Sequence, residues 1–571
     1  MILVSQEQIA AYTQAGFWGE KTLVDIFKEN VSRSTGKVAL VDPVNRDKLV
    51  GTAPRRLTYA EVDRVVDRLA LGLLELGVKP DDVVMVQLPN IVELAMCYLA
   101  CARIGAVTSP VPVQYRSHEL NYALSLTEAT AFITVDQFAG FRHAQMVQGI
   151  QKVHPSLKSL IVVGTEAPAG AVSFAALEEE PREEKYPAGY LEQFRRSAND
   201  VFTLAWTSGT EADPKGVPRS HNHWIAISSM LAEMAALTDR DVIHCPFPMI
   251  NMSGLGVLYV PWILCGGTLV MHHPFDVAVY LRQIAQERVT FTGGPPAILI
   301  GLLNQPQVLA QADFSSVRVL GCGSAPVPPF VITQFRERFG VEIINIFGSN
   351  EGTALVSSPQ EVPDPVERGS LFPRWGVPGF AWALRGTRAI STKLVDPATG
   401  EEVTEIGGVG ELYYKSPSIF SGYYKRPDLT AKAFDPEGYF KSGDLFAIAT
   451  NDRYRFTGRA KDLIIRGGMN ISPEEIESLL QDHPKVLELA AVGMPDWRMG
   501  EKTCVYVAPK PGESVTLEEL VAFLKAKDVA VYKLPERLEI IGQIPRNPLG
   551  KILKNELRED IKRKLEVEAG A

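Results

Sequence analysis

The chain has 571 residues, 46% of them apolar and 22% charged, the balance of a globular protein that can bury a large core without disulfides or metals. Its 58 Lys and Arg against 67 Asp and Glu leave a formal charge of −9, so nothing in the composition supplies the basic face that nucleic-acid binding needs. Length alone suggests about four domains, and small-molecule chemistry is left as the leading class.

Met1-Ile2-Leu3-Val4 gives way to polar residues and lacks the long apolar core of a signal peptide. Thr58 and Glu61 are spaced as a capping box, and Val62, Val65, Val66, Leu69 and Leu73 then follow one helical face. Gly77 suits the left-handed turn that ends such a helix. Val83–Leu88 is an apolar run fitted to a strand buried on both faces. Similar runs recur at Ala131–Val135, Leu160–Val163, Val289–Thr292, Val317–Leu320 and Ile343–Phe347, between amphipathic stretches. That rhythm predicts parallel sheets with helices on their faces. Residues 166–190 read as a surface excursion whose acidic run, Glu178–Glu184, is a solvated face.

From Cys245 to Met271 there is no Asp, Glu, Lys or Arg, yet Pro261 and Gly266-Gly267 interrupt the stretch. A membrane span needs about twenty apolar residues in one helix, so a buried helix followed by a strand near Thr268–Met271 is expected instead. Cys97, Cys101, Cys245, Cys265, Cys322 and Cys504 show no C-x-x-C spacing and read as reduced core thiols. A cytoplasmic protein is expected. After about residue 458, short strands at Leu487–Val492, Thr503–Val507 and Leu538–Ile541 frame a helix at 516–526, and the last dozen residues read as a frayed tail. The fold class is therefore α/β: a large N-terminal domain over 1–457 of layered, mainly parallel sheets with helices on their faces, and a small α+β C-terminal domain over 458–571.

The chemistry-bearing segments follow in order. An apolar run, Val201–Trp206, feeds Thr207-Ser208-Gly209-Thr210-Glu211-Ala212-Asp213-Pro214-Lys215-Gly216, a loop of small hydroxyl residues ending in a lysine. Such a loop can turn N–H groups and hydroxyls towards phosphate oxygens, although it is not a Walker A loop. Taken alone it also reads as a Ser/Thr turn. Phe347-Gly348-Ser349-Asn350-Glu351-Gly352 sits at the carboxyl end of a strand, where open α/β sheets bind ligands. A carboxylate there, beside phosphates, could hold Mg²⁺. Ser442-Gly443-Asp444 places an acid able to bind a ribose diol, and Pro545–Ile552 carries Lys551 after a Pro/Gly-rich loop.

These segments, with Gly410–Phe434, Gly438–Asp444, Gly458–Glu477 and Gly493–Glu501, resemble the adenylate-forming superfamily of acyl- and aryl-CoA synthetases, luciferases and peptide-synthetase adenylation domains. The resemblance runs over about residues 20–560. It implies a two-step reaction in which a carboxylate and MgATP give an acyl-adenylate and pyrophosphate, and a thiol, usually that of coenzyme A, then displaces AMP. It further implies a phosphate loop of Thr207, Ser208, Gly209, Thr210 and Lys215, with Glu351 and Thr207 serving Mg²⁺. Ser324, Ala325, Pro326, Phe347 and Gly348 would flank adenine, and Asp444 with Arg459 would hold the ribose. Lys551 would stabilise the charge that develops during adenylation. Asp462 matches a hinge about which the small domain is mobile, bringing Gly467 and Gly468 to the thiol path; the same glycines also fit a plain turn before the helix that Ser472, Pro473 and Glu475 begin.

Two departures stand out. Glu211 and Ala212 replace the Thr and Gly usual in the family's loop, and Glu211 would repel phosphate unless it faces solvent. Asn251 stands where a histidine is common, either changing the rim of the acyl pocket or bonding local backbone. Trp224, Asn251, Met252 and Gly323 are the candidate substrate pocket, with Trp224 also readable as core. The lack of any carboxylate between Cys245 and Met271 removes the usual partner of an α-ammonium and points to an apolar acid. Lys215–Trp224 and Gly16–Leu23 resemble dihydroxybenzoate–AMP, cyclohexanecarboxylate–CoA and medium-chain acyl-CoA ligases. The expected reaction is ATP-dependent formation of a CoA thioester from an alicyclic, aromatic or medium-chain acid, cyclohexanecarboxylate leading. The expected partners are that acid, ATP and CoA, with no nucleic acid and no membrane span; a homodimer is left open, since the sequence does not fix the oligomeric state. One alternative is loading of a separate carrier protein, and another is a non-catalytic acyl-adenylate sensor.

Overall fold

The computed structural model describes residues 1–207, 214–323, 327–459, 462–466, 469–527, 529, 531–547 and 551–570, apart from the side chains of residues 469, 470, 569 and 570. The chain divides into two compact units. One comprises Met1–Gly369, Pro378–Ser391 and Lys415–Phe440; the other comprises Ser370–Val377, Thr392–Tyr414 and Lys441–Ala571.

The first unit holds two sheets. The seven-stranded sheet runs Val172–Ser173, Ser159–Val163, Ala131–Val135, Val83–Gln87, Val107–Pro110, Val201–Trp206, Gly216–Ser220, parallel except for its last pair. Val83–Gln87 pairs on both edges and is buried throughout, which is why its sequence is apolar without alternation. The capping box forms as spaced: Thr58 and Glu61 bond reciprocally at the head of helix Tyr59–Glu75, and Gly77 takes φ +86° just beyond its end. The eight-stranded sheet runs Ala354–Ser357, Glu342–Gly348, Val319–Gly323, Phe291–Gly293, Val242–Cys245, Thr268–Met271, Val38–Val41, Arg56–Thr58, with antiparallel strands at its two edges only. Two of its strands start later than their apolar runs. Val289 and Val317 are buried but lie before the ladder, since hydrophobicity reports burial rather than strand pairing.

The uncharged stretch forms a π-helical segment, Met252–Tyr259, continuing into helix Val260–Cys265 and then strand Thr268–Met271. Among the described residues no helix is long and apolar enough to cross a membrane. The expected surface excursion is more structured than its composition implies. Helix Phe174–Glu179 buries Phe174 and Leu177, and the acidic run is ion-paired: Glu178 with Arg55, Glu183 with Arg68, while buried Arg182 meets Glu75.

The second unit holds a six-stranded sheet, ordered Leu371–Pro373, Arg453–Arg459, Phe440–Thr450, Val409–Lys415, Ser391–Val395, Glu402–Val403, and a five-stranded one built around the hairpin Val486–Asp496 and Gly500–Pro509. Alternate hairpin residues face opposite cores. Leu489, Ala491, Val505 and Val507 pack with helices Pro473–Leu480 and Leu517–Ala526, whereas Ala490, Val492, Cys504 and Tyr506 pack with Leu557 and Ile561. The sheet's second face thus requires a cover, and the expected frayed tail is instead helix Lys554–Gly570. Glu568 and Lys564 reinforce it through Arg537 and Glu539. All six cysteines are free, five are fully buried, and burial pushes every thiol pKa up, to about 11 for Cys265 and about 12 for Cys101 and Cys504.

Candidate active site

In the first unit, strands Val201–Trp206 and Gly216–Ser220 form an antiparallel pair whose connection is the candidate phosphate loop. Its mouth is closed by backbone and side chain together: Thr207 N–H donates to the Lys215 carbonyl at 3.0 Å, and Lys215 N–H donates to Thr207 Oγ1 at 3.2 Å. Both ends of the loop are thereby fixed. Ser208, Gly209, Thr210, Glu211 and Ala212 lie outside the described residues, as do Ser324, Ala325, Pro326, Gly467 and Gly468.

Glu351 follows strand Glu342–Gly348, and two residues that sequence reasoning missed bind it to the loop. Asn350 donates from Nδ2 to the Trp206 carbonyl at 3.0 Å, tethering the Glu351 segment one residue before Thr207. Tyr423 donates its hydroxyl to Glu351 Oε1 at 2.9 Å, and its ring face lies 5.0 Å from Lys215 Nζ. Burial, with the carboxylate beside it, pushes the Tyr423 pKa up and keeps it a donor. Lys215, Tyr423 and Glu351 therefore form one polar group at the loop mouth. Such a cluster offers a cation and an anchored carboxylate to a bound polyphosphate and its counterion.

The candidate acyl-side residues separate. Met252 is buried and linked to the same network, since its N–H donates to Asn350 Oδ1 at 2.9 Å. A Cβ on Gly348 would lie 3.8 Å from Met252 Cγ, so that strand end and Met252 are neighbours. Gly323 is required by close packing, because a Cβ there would meet the Ile346 carbonyl at 2.2 Å. Trp224 is core: wholly buried, it donates to Thr203 Oγ1 and lies under the Arg219 guanidinium, 4.1 Å from the ring. Asn251 follows its local reading. Its Oδ1 accepts from Ser253 and Gly254 N–H at 3.0 and 3.3 Å, capping the π-helical segment.

In the second unit, Asp444 and Arg459 are register partners on adjacent strands, and Arg459 Nε lies 3.2 Å from Asp444 Oδ1. No turn precedes Asp444, which lies within strand Phe440–Thr450; Gly443 beside it takes φ +73°, and its N–H donates to Glu411. Asp462 accepts from Arg558 at 2.7 Å. Ser472 caps helix Pro473–Leu480 by accepting from Glu475 N–H, but only half of the expected capping box forms: the Glu475 carboxylate is taken by Lys533, and Ser472 Oγ donates to the Thr457 carbonyl. Lys551 is exposed, and its N–H donates to Asn547 Oδ1 at 2.9 Å while its carbonyl accepts from Asn547 N–H at 2.8 Å. Three residues on, Lys554 is largely enclosed and ion-paired with Glu474 and Glu477.

The family description "AMP-binding enzyme" matches residues 27–424, and "AMP-binding enzyme C-terminal domain" matches residues 475–551. The chain is 33% identical to the medium-chain fatty-acid–CoA ligase of Escherichia coli over 98% of its own length and 94% of the relative's. It is 30% identical to the 2,3-dihydroxybenzoate-AMP ligase of Bacillus subtilis over 98% and 97% of the two chains. Among solved structures, ATP-bound MatB from Rhodopseudomonas palustris superposes with a TM-score of 0.78 at 26% identity, covering 94% of this chain and 99% of that one.

Proposed function

Since the chain belongs to the AMP-binding enzyme family and is an ATP-dependent adenylate-forming ligase, we propose that it converts an apolar alicyclic, aromatic or medium-chain carboxylic acid to its CoA thioester, with cyclohexanecarboxylate the leading substrate. In the first half-reaction a carboxylate oxygen attacks the α-phosphorus of ATP and the bond to pyrophosphate breaks. In the second, the CoA thiolate attacks the acyl carbon of the mixed anhydride and AMP leaves.

The observation that carries the reading is the Lys215–Tyr423–Glu351 group at the closed mouth of the Thr207–Lys215 loop. Lys215 offers a point charge to phosphate oxygens, and Ser208, Gly209 and Thr210 are assigned to the same loop. Glu351 with the Thr207 hydroxyl fits Mg²⁺, which takes one or two carboxylates and keeps phosphate and water as its other ligands; bound there, the ion would neutralise phosphate charge. Asp444 and Arg459 are assigned to the ribose and Lys551 to the charge that grows on the α-phosphate. Met252, with no carboxylate anywhere from Cys245 to Met271, supports an apolar acyl group over an amino acid. Loading of a carrier protein is the second reading, favoured by the dihydroxybenzoate-AMP relative.

ATP–pyrophosphate exchange across cyclohexanecarboxylate, benzoates and C6–C12 fatty acids tests the acid. Adding CoA to the best acid should release AMP and thioester in equal amounts. AMP release that ignores CoA but responds to a carrier protein selects the second reading, and absence of exchange with every acid sinks both.

A further inference from the structure

The turn that carries Glu351 is held from outside at three consecutive carbonyls. Arg219 Nη1 donates to the Asn350 carbonyl at 3.4 Å, Phe420 N–H to the Glu351 carbonyl at 2.8 Å, and Ser418 Oγ to the Gly352 carbonyl at 2.7 Å. Arg219 Nη2 also donates to the Ser418 carbonyl at 2.9 Å, so one guanidinium joins the two segments that face each other across this turn. The fit is close: Gly352 has φ +109°, and a Cβ on it would lie 2.0 Å from the Ser418 carbonyl oxygen. Arg219 itself is fully buried in strand Gly216–Ser220, directly after the candidate phosphate loop, with its charge over the Trp224 ring.

Carbonyls satisfied inside one turn would need no such help. Three donors from two distant segments fix the φ/ψ of the turn and hence where the Glu351 carboxylate points; Arg219 reaches the turn by a long bond and acts mainly through its 2.9 Å charge-assisted bond to the Ser418 carbonyl, which holds the Ser418 donor in place. Resting on the assignment of Glu351 above, we propose that Arg219 and Ser418 are positioning residues that fix the Glu351 carboxylate for the counterion of bound nucleotide.

The test is binding of α,β-methylene-ATP by calorimetry across a Mg²⁺ titration, with no acid present. Ser418→Ala and Arg219→Lys should each raise the Mg²⁺ concentration for half-maximal tightening at least about fivefold. In a Glu351→Gln background, which itself loses most of the Mg²⁺ response, the same changes should do almost nothing further, because they act through that carboxylate. A merely structural role would lower affinity by the same factor in both backgrounds, and that result overturns the proposal. Should Arg219→Lys fail to fold, Ser418→Ala decides, since it deletes one oxygen. A wild-type protein that does not bind the analogue overturns the functional reading itself; one that binds it, with Ser418→Ala unchanged, overturns only the positioning roles.

Discussion

The Tyr423 hydroxyl donates to Glu351 Oε1 at 2.9 Å across 72 residues of sequence. Tyr423→Phe removes this bond and keeps the ring that faces Lys215. The exchange kcat/KM for MgATP should fall about tenfold, about 1.4 kcal/mol, the low end for a hydrogen bond to a charged group. Thioester formation from pre-made acyl-adenylate should change little. An equal fall in both half-reactions would show that Tyr423 supports the site generally rather than the nucleotide phosphates.

Lys551 is exposed, and its N–H is held by Asn547 Oδ1. Lys551→Ala should cut ATP–pyrophosphate exchange at least about a hundredfold, the scale of losing one fixed electrostatic stabiliser. Thiolysis of supplied acyl-adenylate should be affected far less, and comparable losses in the two assays would contradict the assigned role.

Asp444 and Arg459 form an ion pair. Wild-type enzyme should use 2′- and 3′-deoxyATP at least about tenfold less well than ATP. Asp444→Ala should use all three about equally well, because the acceptor for the diol is gone. Discrimination that survives this change would remove Asp444 from the ribose site.

His223 accepts Ser220 N–H through Nδ1 and is buried beside Arg219. Burial first, and Arg219 second, lower its pKa to about 3, and burial lowers that of His221 to about 4. The unfolded chain therefore binds protons near pH 6.5 that the folded chain refuses, so stability falls as pH drops from about 6.5 towards those values. Each histidine costs up to about 1.4 kcal/mol per pH unit across that window. His223→Gln, which keeps an acceptor at the third helical position, should reduce the slope of unfolding free energy against pH by about one proton between pH 6 and 4.5. An unchanged slope would mean that His223 is protonated in the folded protein.

Ile561 lies wholly buried against the second face of the small sheet. Ile561→Ala should destabilise the second unit by about 2–5 kcal/mol in urea titration, the range for a large-to-small change in a packed core. A frayed terminus would show no measurable change.

Much of the large unit could be read from its sequence because strands buried on both faces are written as unbroken apolar runs, and Thr58 and Gly77 mark the ends of the helix between them. The C-terminal helix was illegible for the opposite reason. Its buried residues, Leu557, Ile561 and the partly buried Leu565, are sparse among charges, and only the sheet they cover explains them. Thr207, Lys215 and Glu351 stand in local motifs and could be named. Asn350, Tyr423, Arg219 and Ser418 act through contacts between distant segments, and periodicity carries no information about such contacts. The one available signal was Arg219 itself, a charge inside a run that is otherwise a buried strand. Asn251 shows the reverse: its Oδ1 accepts from two N–H groups of its own helix start, a local bond that sequence position alone could not reveal.

The six native thiols, five of them buried and Cys265 partly so, all have raised pKa values, which has a practical consequence for spectroscopy. A maleimide or nitroxide reagent near neutral pH attacks thiolate, so cysteines introduced at exposed positions should react without any native one being replaced. Trp497, 95% exposed in the hairpin of the second unit, and Val153, 68% exposed in the first, are suitable hosts. A dye pair at these sites would read the distance between the units during turnover in an otherwise unaltered chain.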